Sequence, residues 1–282
     1  MAHRPKAQGQ SVMEIRQKNS LPWSHHLAIG NMNQAHVHHQ FGRHVLVGTT
    51  YTPVADTGLY RTPQPAAATE LRIKAGGNAG DTANGAGARS VRLRGLNANG
   101  DEITAIIATN GASASAATTL TFIRLYLIEV YESGTYGTQA AGSHIGNITI
   151  ENAAGTEDWG QIQLNGFPSG TSGIGSITVP RNHVGLITSI QINPEMSANK
   201  LTDVLILKRE GILQTAAPYK PIVKIQEIIG LAATIGINFD MPMVVPELTD
   251  VGVLAKVSGG TGAISIDMEV IFLEAETYTQ GG

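Results

Sequence analysis

The residues best suited to chemistry form a group of histidines near the start of the chain. Seven of the nine histidines lie in the first 50 residues, and His36, His38 and His39 lie within four positions. In an extended segment alternate side chains point to one side, so His36 and His38 could share a zinc or nickel ion. No acidic residue lies between Glu14 and Asp56 to complete such a site. We therefore expect no metal or other cofactor, and favour a pH-dependent contact, because imidazole titrates near neutrality.

The same 50 residues carry an excess of positive charge. Their formal charge is +4, and since the whole chain carries −3, the remainder carries −7. Such a segment could bind an acidic neighbouring subunit or nucleic acid, and its modest charge density favours a protein partner. Pro22 favours an extended chain into Trp23, which would be buried as an anchor elsewhere. The predicted assembly contacts are Arg4, Trp23, His36, His38, His39 and Arg43.

A glycine-rich stretch, Gly76–Gly87, resembles a phosphate-binding loop only superficially. The segment after it, Ser90–Leu96, alternates as a strand does, so no helix N-terminus is available to hold an anion. Asn78, Asp81 and Asn84 could ligate calcium, but one carboxylate is too few for a tight site. This stretch is interpreted as a surface loop.

Catalysis has few candidates. With no cysteine, thiol chemistry, disulfides and thiolate zinc sites are excluded. Asp267 and Glu269 would lie on one face of a strand roughly 7 Å apart, a separation that some glycosidases use. Exposed strands carry such pairs often, and only Trp23 and Trp159 could offer an aromatic sugar platform. We therefore expect no enzyme.

The overall composition favours burial against other copies of the chain. Charged residues make up 15% of the chain, against roughly 25% in ordinary soluble domains. Small polar residues replace them and leave a neutral surface of low side-chain entropy. The chain shows no apolar leader segment and no run long enough to cross a membrane, so we expect no membrane partner. No basic patch interleaved with aromatic residues is present, and we expect no nucleic-acid partner.

The pattern from His44 onward predicts about fifteen short strands separated by Gly, Asn, Pro and Asp. Ser90–Leu96 and Ala263–Glu274 alternate most clearly, and Asn97–Asp101 predicts a hairpin turn. Residues 222–235 fit either a strand or a helix. The predicted fold is all-β, with two antiparallel β-sandwich domains of jelly-roll type preceded by an extended arm. The predicted bounds are residues 1–44 for the arm, with a short helix at 12–18, and 45–168 and 169–282 for the sandwiches.

The segment from Arg89 to Thr104 resembles a pattern found in virion proteins of tailed phages, particularly marine ones. In that pattern a Gly-Leu-Asp-Ala-Asn-Gly hairpin leads into a strand, and here Asn97 replaces the aspartate. The resemblance extends to about Glu274 through turns and strands, and carries no catalytic signature. It implies a virion structural protein: a capsid decoration (cement) subunit or a tail or fibre component, often trimeric.

Composition and resemblance together predict a non-enzymatic virion protein, assembled in the host cytoplasm. Its partners would be itself, as a homotrimer, and other virion proteins such as the major capsid protein. Head decoration is the first interpretation, and a tail or fibre component that touches the host is the alternative. A secreted carbohydrate-binding module or glycosidase is the alternative from another functional class.

Overall fold

The computed structural model describes residues 23–32, 34–56, 68–137, 142–164, 169–196 and 200–275. Arg4 and the predicted helix at residues 12–18 lie outside these ranges. Within them there is one short helix, α1 (Trp23–Ala28), and otherwise strands, so the all-β antiparallel prediction is confirmed. The strands are β1 (Ala35–Val47), β2 (Thr52–Pro53), β3 (Thr69–Ile73), β4 (Ala88–Leu96), β5 (Glu102–Ala108), β6 (Thr121–Phe122), β7 (Arg124–Ser133), β8 (Ile148–Asn152), β9 (Asp158–Ile162), β10 (Ile177–Thr178), β11 (His183–Glu195), β12 (Thr202–Glu210), β13 (Val223–Leu231), β14 (Ile235–Val245), β15 (Thr249–Val257) and β16 (Gly262–Glu274).

One sandwich is a jelly roll. Its first sheet has the order β1-β16-β11-β14, and its second has the order β10-β15-β12-β13 with β2 also pairing with β15. Strands β11, β14 and β16 therefore lie in the first sheet and β12, β13 and β15 in the second, and β1 and β2 add one strand to each. This is the eight-strand, double Greek-key arrangement of a jelly roll, with β10 as an additional short strand. We call it the jelly-roll sandwich.

The other sandwich is inserted into the connection between β2 and β10. It pairs a sheet of order β6-β3-β8-β9 with one of order β5-β4-β7. The two sheets enclose a core that includes Phe122, Leu93 and Trp159, all fully buried. We call this unit the inserted sandwich.

Local sequence explains most of these strands. In β16 the alternating residues Ile264, Ile266, Met268, Val270 and Phe272 are all buried in the jelly-roll core, as the period of two predicts. The turn between β4 and β5 is also as predicted. The amide of Gly100 donates to the Asn97 carbonyl at 2.9 Å, and Gly100 has a φ of 86°, which glycine adopts without a steric penalty. Residues 223–231 form a strand, which resolves the helix-or-strand ambiguity there.

The predicted arm is wrong for residues 35–44. These residues belong to β1, which pairs along its length with β16. The inward side of β1 carries His36, His38, Gln40 and His44 instead of aliphatic residues. His38 and Gln40 contact the inserted sandwich, and His44 contacts Pro53 of β2. The strand therefore lacks the apolar alternation by which strands are recognised. As a result, β1 and β2 belong to the jelly-roll sandwich, together with the strands after residue 169. The predicted domain boundaries at residues 44 and 168 therefore do not separate the two sandwiches, because the first strands of the jelly-roll sandwich come before the inserted one.

Candidate functional site

The predicted histidines lie on opposite faces of β1. His36 and His38 share one face, as alternation predicts, and both rings contact Phe272 of β16, with centroids 5.3 and 5.8 Å away. His39 points to the outer face of the sheet, where it is paired across the strands with Glu269. The three histidines therefore do not form one site.

The His36 and His38 face lies at the contact between the two sandwiches, which we call the junction. The Gln40 side chain crosses it and donates from Nε2 to the backbone carbonyls of Tyr126, at 3.0 Å, and Ile174. The His38 ring stands perpendicular to the Tyr126 ring, 5.5 Å away. A strand of the jelly-roll sandwich thus holds a strand of the inserted sandwich directly.

A buried ion pair closes the junction nearby. Arg124 of β7 donates from Nε and Nη2 to the carboxylate of Asp250 in β15, at 2.9 and 2.8 Å. The Thr178 hydroxyl donates to the same carboxylate at 2.6 Å. The two charged side chains are 1% and 4% exposed. Two hydrogen bonds between a buried guanidinium and a buried carboxylate fix the orientation of the two sandwiches relative to each other. A shift of one sandwich against the other would leave a buried charge poorly compensated.

A cleft of about 340 Å³ opens beside the junction, and His36, His38, Arg94, Glu102 and Tyr126 are among the residues that line it. The Tyr126 hydroxyl donates to Glu102 at 2.9 Å, and the other oxygen of that carboxylate is 3.9 Å from His36 Nε2. His36 also stacks edge-on against His183, with ring centroids 5.9 Å apart. The cleft therefore combines imidazole rings with one carboxylate that is already hydrogen-bonded.

Burial shifts the titration of two groups in this cleft. Desolvation lowers the pKa of His38, although its contact with Gln40 opposes the shift, so the ring is held in the neutral form. Desolvation, followed by the charge of Glu102, raises the pKa of Tyr126, which keeps the hydroxyl protonated as a donor. Both shifts maintain an uncharged, hydrogen-bonded contact.

In the part of the chain that the structure describes, no group of three or more histidine, aspartate or glutamate side chains could hold a metal ion. Asp267 and Glu269 lie on the outer face of β16, opposite Phe41 and His39 of β1. No helix in the described ranges is long and apolar enough to cross a membrane.

The other predicted contacts have different surroundings. Arg43 forms an exposed ion pair with Glu195, at 2.8 Å. Trp23 begins α1 instead of an extended anchor, and Leu27 of that helix packs on Ala35 and Ile271. The side chain of Trp23 and the whole of Arg4 lie outside what the structure describes.

Sequence reasoning missed the role of Asp81. Its carboxylate is buried and accepts hydrogen bonds from the amides of Ala88, Ile145 and Gly146, at 2.8 to 3.0 Å. It therefore clamps the glycine-rich loop to a segment 64 residues later, and its oxygens bind backbone instead of a cation. The glycines around Asp81 are the sequence feature that could have indicated this role. A Cβ at Gly87 would clash with the Asp81 carboxylate, so this position requires glycine.

Sequence reasoning also missed an apolar edge on the jelly-roll sandwich. Residues 222–245, which comprise β13, β14 and the turn between them, form what we call the open edge. Each strand is the last of its sheet, and none of the described strands pairs with its outer side. The most exposed apolar side chains on it are Ile229, at 72%, and Met241, at 84%.

No protein-family model and no curated protein sequence matches the chain. Among solved structures, the chain is similar to infectious bursal disease virus of the Gt strain, at 8% identity and a TM-score of 0.24, over 92% of this chain and 79% of that one. It is also similar to the VP2 subviral particle of infectious bursal disease virus, at 10% identity and a TM-score of 0.20, with the same coverages. Similarity at these TM-scores carries no argument about the function of this chain.

Proposed function

We propose that this chain is a non-enzymatic structural subunit of a virus particle, acting as a capsid decoration or cement protein. The observation that carries the proposal is the strand order of the jelly-roll sandwich, β1-β16-β11-β14 facing β2-β15-β12-β13. Capsid proteins are one of the main groups built on this double Greek key. The low content of charged residues supports the proposal, since it leaves a surface suited to burial in an assembly.

The junction supports a role in which the subunit keeps its shape under load. Arg124, Asp250 and Gln40 connect the two sandwiches by hydrogen bonds that are buried from water. A decoration subunit has to transmit force between neighbours, and a stiff two-sandwich body does so better than two linked domains. In this proposal the subunit is a homotrimer that also contacts the major capsid protein, and assembly takes place in the host cytoplasm.

The direct test is to locate the protein. Antibodies raised against the purified chain would be used on density-gradient fractions from cells that express it, followed by immunogold labelling of intact particles. We expect the chain to sediment with particles and the label to lie on their heads. A chain that remains wholly in the soluble fractions would contradict a virion role, and a label confined to tails would contradict head decoration.

The basic N-terminal segment is proposed as the anchor on the particle. A deletion that ends at residue 22 removes four basic residues, Arg4, Lys6, Arg16 and Lys18, but retains β1. A deletion that extended past residue 35 would also remove part of the pairing between β1 and β16. We expect the shortened chain to keep the far-UV circular dichroism of the full chain and to lose incorporation into particles. Incorporation at full occupancy would show that this segment is not the anchor.

A further inference from the structure

The hydrophobic core of the jelly-roll sandwich is least well buried at the open edge. Its fully buried members come from β1, β10, β11, β12, β15, β16 and adjoining residues, but none comes from β13 and only Val245 comes from β14. Six of the seven apolar residues that pack on this core while staying partly exposed belong to the open edge. They are Ile225, Ile228, Leu231, Ile235, Phe239 and Met243.

The two most exposed apolar side chains of the open edge lie on β-bulges. In the first bulge, two residues of β13, Ile229 and Gly230, lie opposite the single residue Asp203 of β12. Gly230 has a φ of 72°. In the second bulge, four residues of β14, residues 239–242, lie opposite the single residue Thr188 of β11, and Met241 is one of the four. A bulge re-aims a side chain, so both strands turn an apolar group toward solvent at positions where regular pairing would not.

The bulges also decide how a partner can bind. The insertion in β14 contains Pro242, which has no amide hydrogen, and it breaks the straight edge that an added strand would need. Contact at the open edge therefore occurs through side chains.

Charge identifies the kind of partner. The open edge contains three charged residues, and two of them, Lys224 and Glu227, form an ion pair with each other, which leaves Asp240. A surface with so little charge, and none of it positive in excess, does not attract nucleic acid or an anionic membrane. It can meet another copy of the same chain with little repulsion, because each copy brings only the single uncompensated charge of Asp240.

We propose that the open edge is the self-association surface of this protein and that a second copy of the chain covers it. The apolar side chains on β13 and β14 complete the jelly-roll core only when that copy is bound. This inference deepens the proposed function and rests on it for the context of the assembly, but the contact itself is a property of the purified chain.

The first experiment measures the oligomeric state of the full chain by sedimentation velocity over a range of concentrations. We expect the wild type to associate, and the double variant Ile229→Lys with Met241→Lys to raise the dissociation constant at least about tenfold, because central apolar residues dominate such contacts. The matched control is Ile106→Lys, an isoleucine of β5 that is 53% exposed on the inserted sandwich, and it should associate as the wild type does. A wild type that stays monomeric, or a double variant that associates normally, overturns the inference.

The second experiment remains decisive even if a charged variant folds poorly. Because the chain has no cysteine, Met241→Cys introduces a single thiol on the open edge, and Ile106→Cys introduces one elsewhere. The alkylation rate constant of the first should fall at least about threefold as protein concentration rises through the association range, since bound copies exclude reagent. The second should keep a constant rate. Equal behaviour of the two thiols would contradict the inference, whereas only the particle-labelling experiment bears on the virion role.

Discussion

The two sandwiches differ in how completely each closes its own core. Among the described residues of the inserted sandwich, Phe122 and Trp159 are two of the largest fully buried side chains, and three apolar residues pack on the core while staying partly exposed: Ile103, Ala105 and Val130. The jelly-roll sandwich has a core that is aliphatic apart from Met268 and Phe272, with a larger partly exposed fringe, almost all of it on the open edge. The first unit therefore buries its apolar residues within the chain, whereas the second leaves apolar surface exposed on the open edge, which we propose a second copy covers. All the strands of the jelly-roll arrangement are paired, although apolar side chains on β13 and β14 stay partly exposed to solvent.

The largest expected effect comes from the ion pair that joins the two sandwiches. Asp250→Ala removes the carboxylate that Arg124 and Thr178 share, and we expect it to destabilise the protein by about 3–5 kcal/mol, because a buried guanidinium loses its counter-charge. Urea unfolding followed by far-UV circular dichroism and tryptophan fluorescence measures the change. The control is Glu195→Ala at the exposed pair with Arg43, which should cost less than about 1 kcal/mol. Equal effects of the two variants would mean that the junction contributes no special stability.

A pair of leucines tests the contrast between closed and open cores. Leu93→Ala lies in the fully buried core of the inserted sandwich and should cost about 3 kcal/mol through lost burial and a cavity. Leu231→Ala lies on the open edge, where the side chain is partly in solvent, and should cost about 1 kcal/mol in the monomer. The measurement is urea unfolding at a protein concentration low enough for the monomer to predominate. If both variants cost the same, the open edge is as well packed as the closed core.

The smallest of the three effects depends on pH and belongs to Asp56, near the junction. Burial raises the pKa of Asp56 from 3.8 to about 6, although the Gly173 amide and the charge of Arg43 oppose the shift. The folded state therefore holds a proton more tightly than the unfolded state, and the resulting stability is present at low pH and lost as pH rises through about 6.

The variant Asp56→Asn cannot titrate, so it isolates this contribution. We expect the wild type to gain about 1 kcal/mol relative to the variant when the pH falls from 7.5 to 5. Desolvation lowers the pKa of His38, His44 and His144, and each of these histidines acts with the opposite sign in both proteins. The difference between the two unfolding free energies cancels that background. A difference that does not change with pH would show that Asp56 is ionised in the fold.

Much of the strand pattern could be predicted from the sequence, because it depends on local chemistry. The alternation in β16 and the Asn97–Asp101 turn need only the side-chain period of two and the conformational freedom of Gly100. The same rule placed His36 and His38 on one face of their segment. The same local patterns did not predict β1 as a strand, because its inward face is polar where it meets the inserted sandwich.

The sequence by itself therefore determined the class of fold, the antiparallel strands and the turn between β4 and β5. Tertiary structure decided which strands meet. It brought β1 beside β16, separated by more than 200 positions, and placed Arg124 against Asp250, 126 residues apart. It also left β13 and β14 at the ends of their sheets. Each of these outcomes depends on pairing between distant segments, where the gain in burial and hydrogen bonding has to exceed the entropy of closing long loops. No pattern within a single strand records that balance.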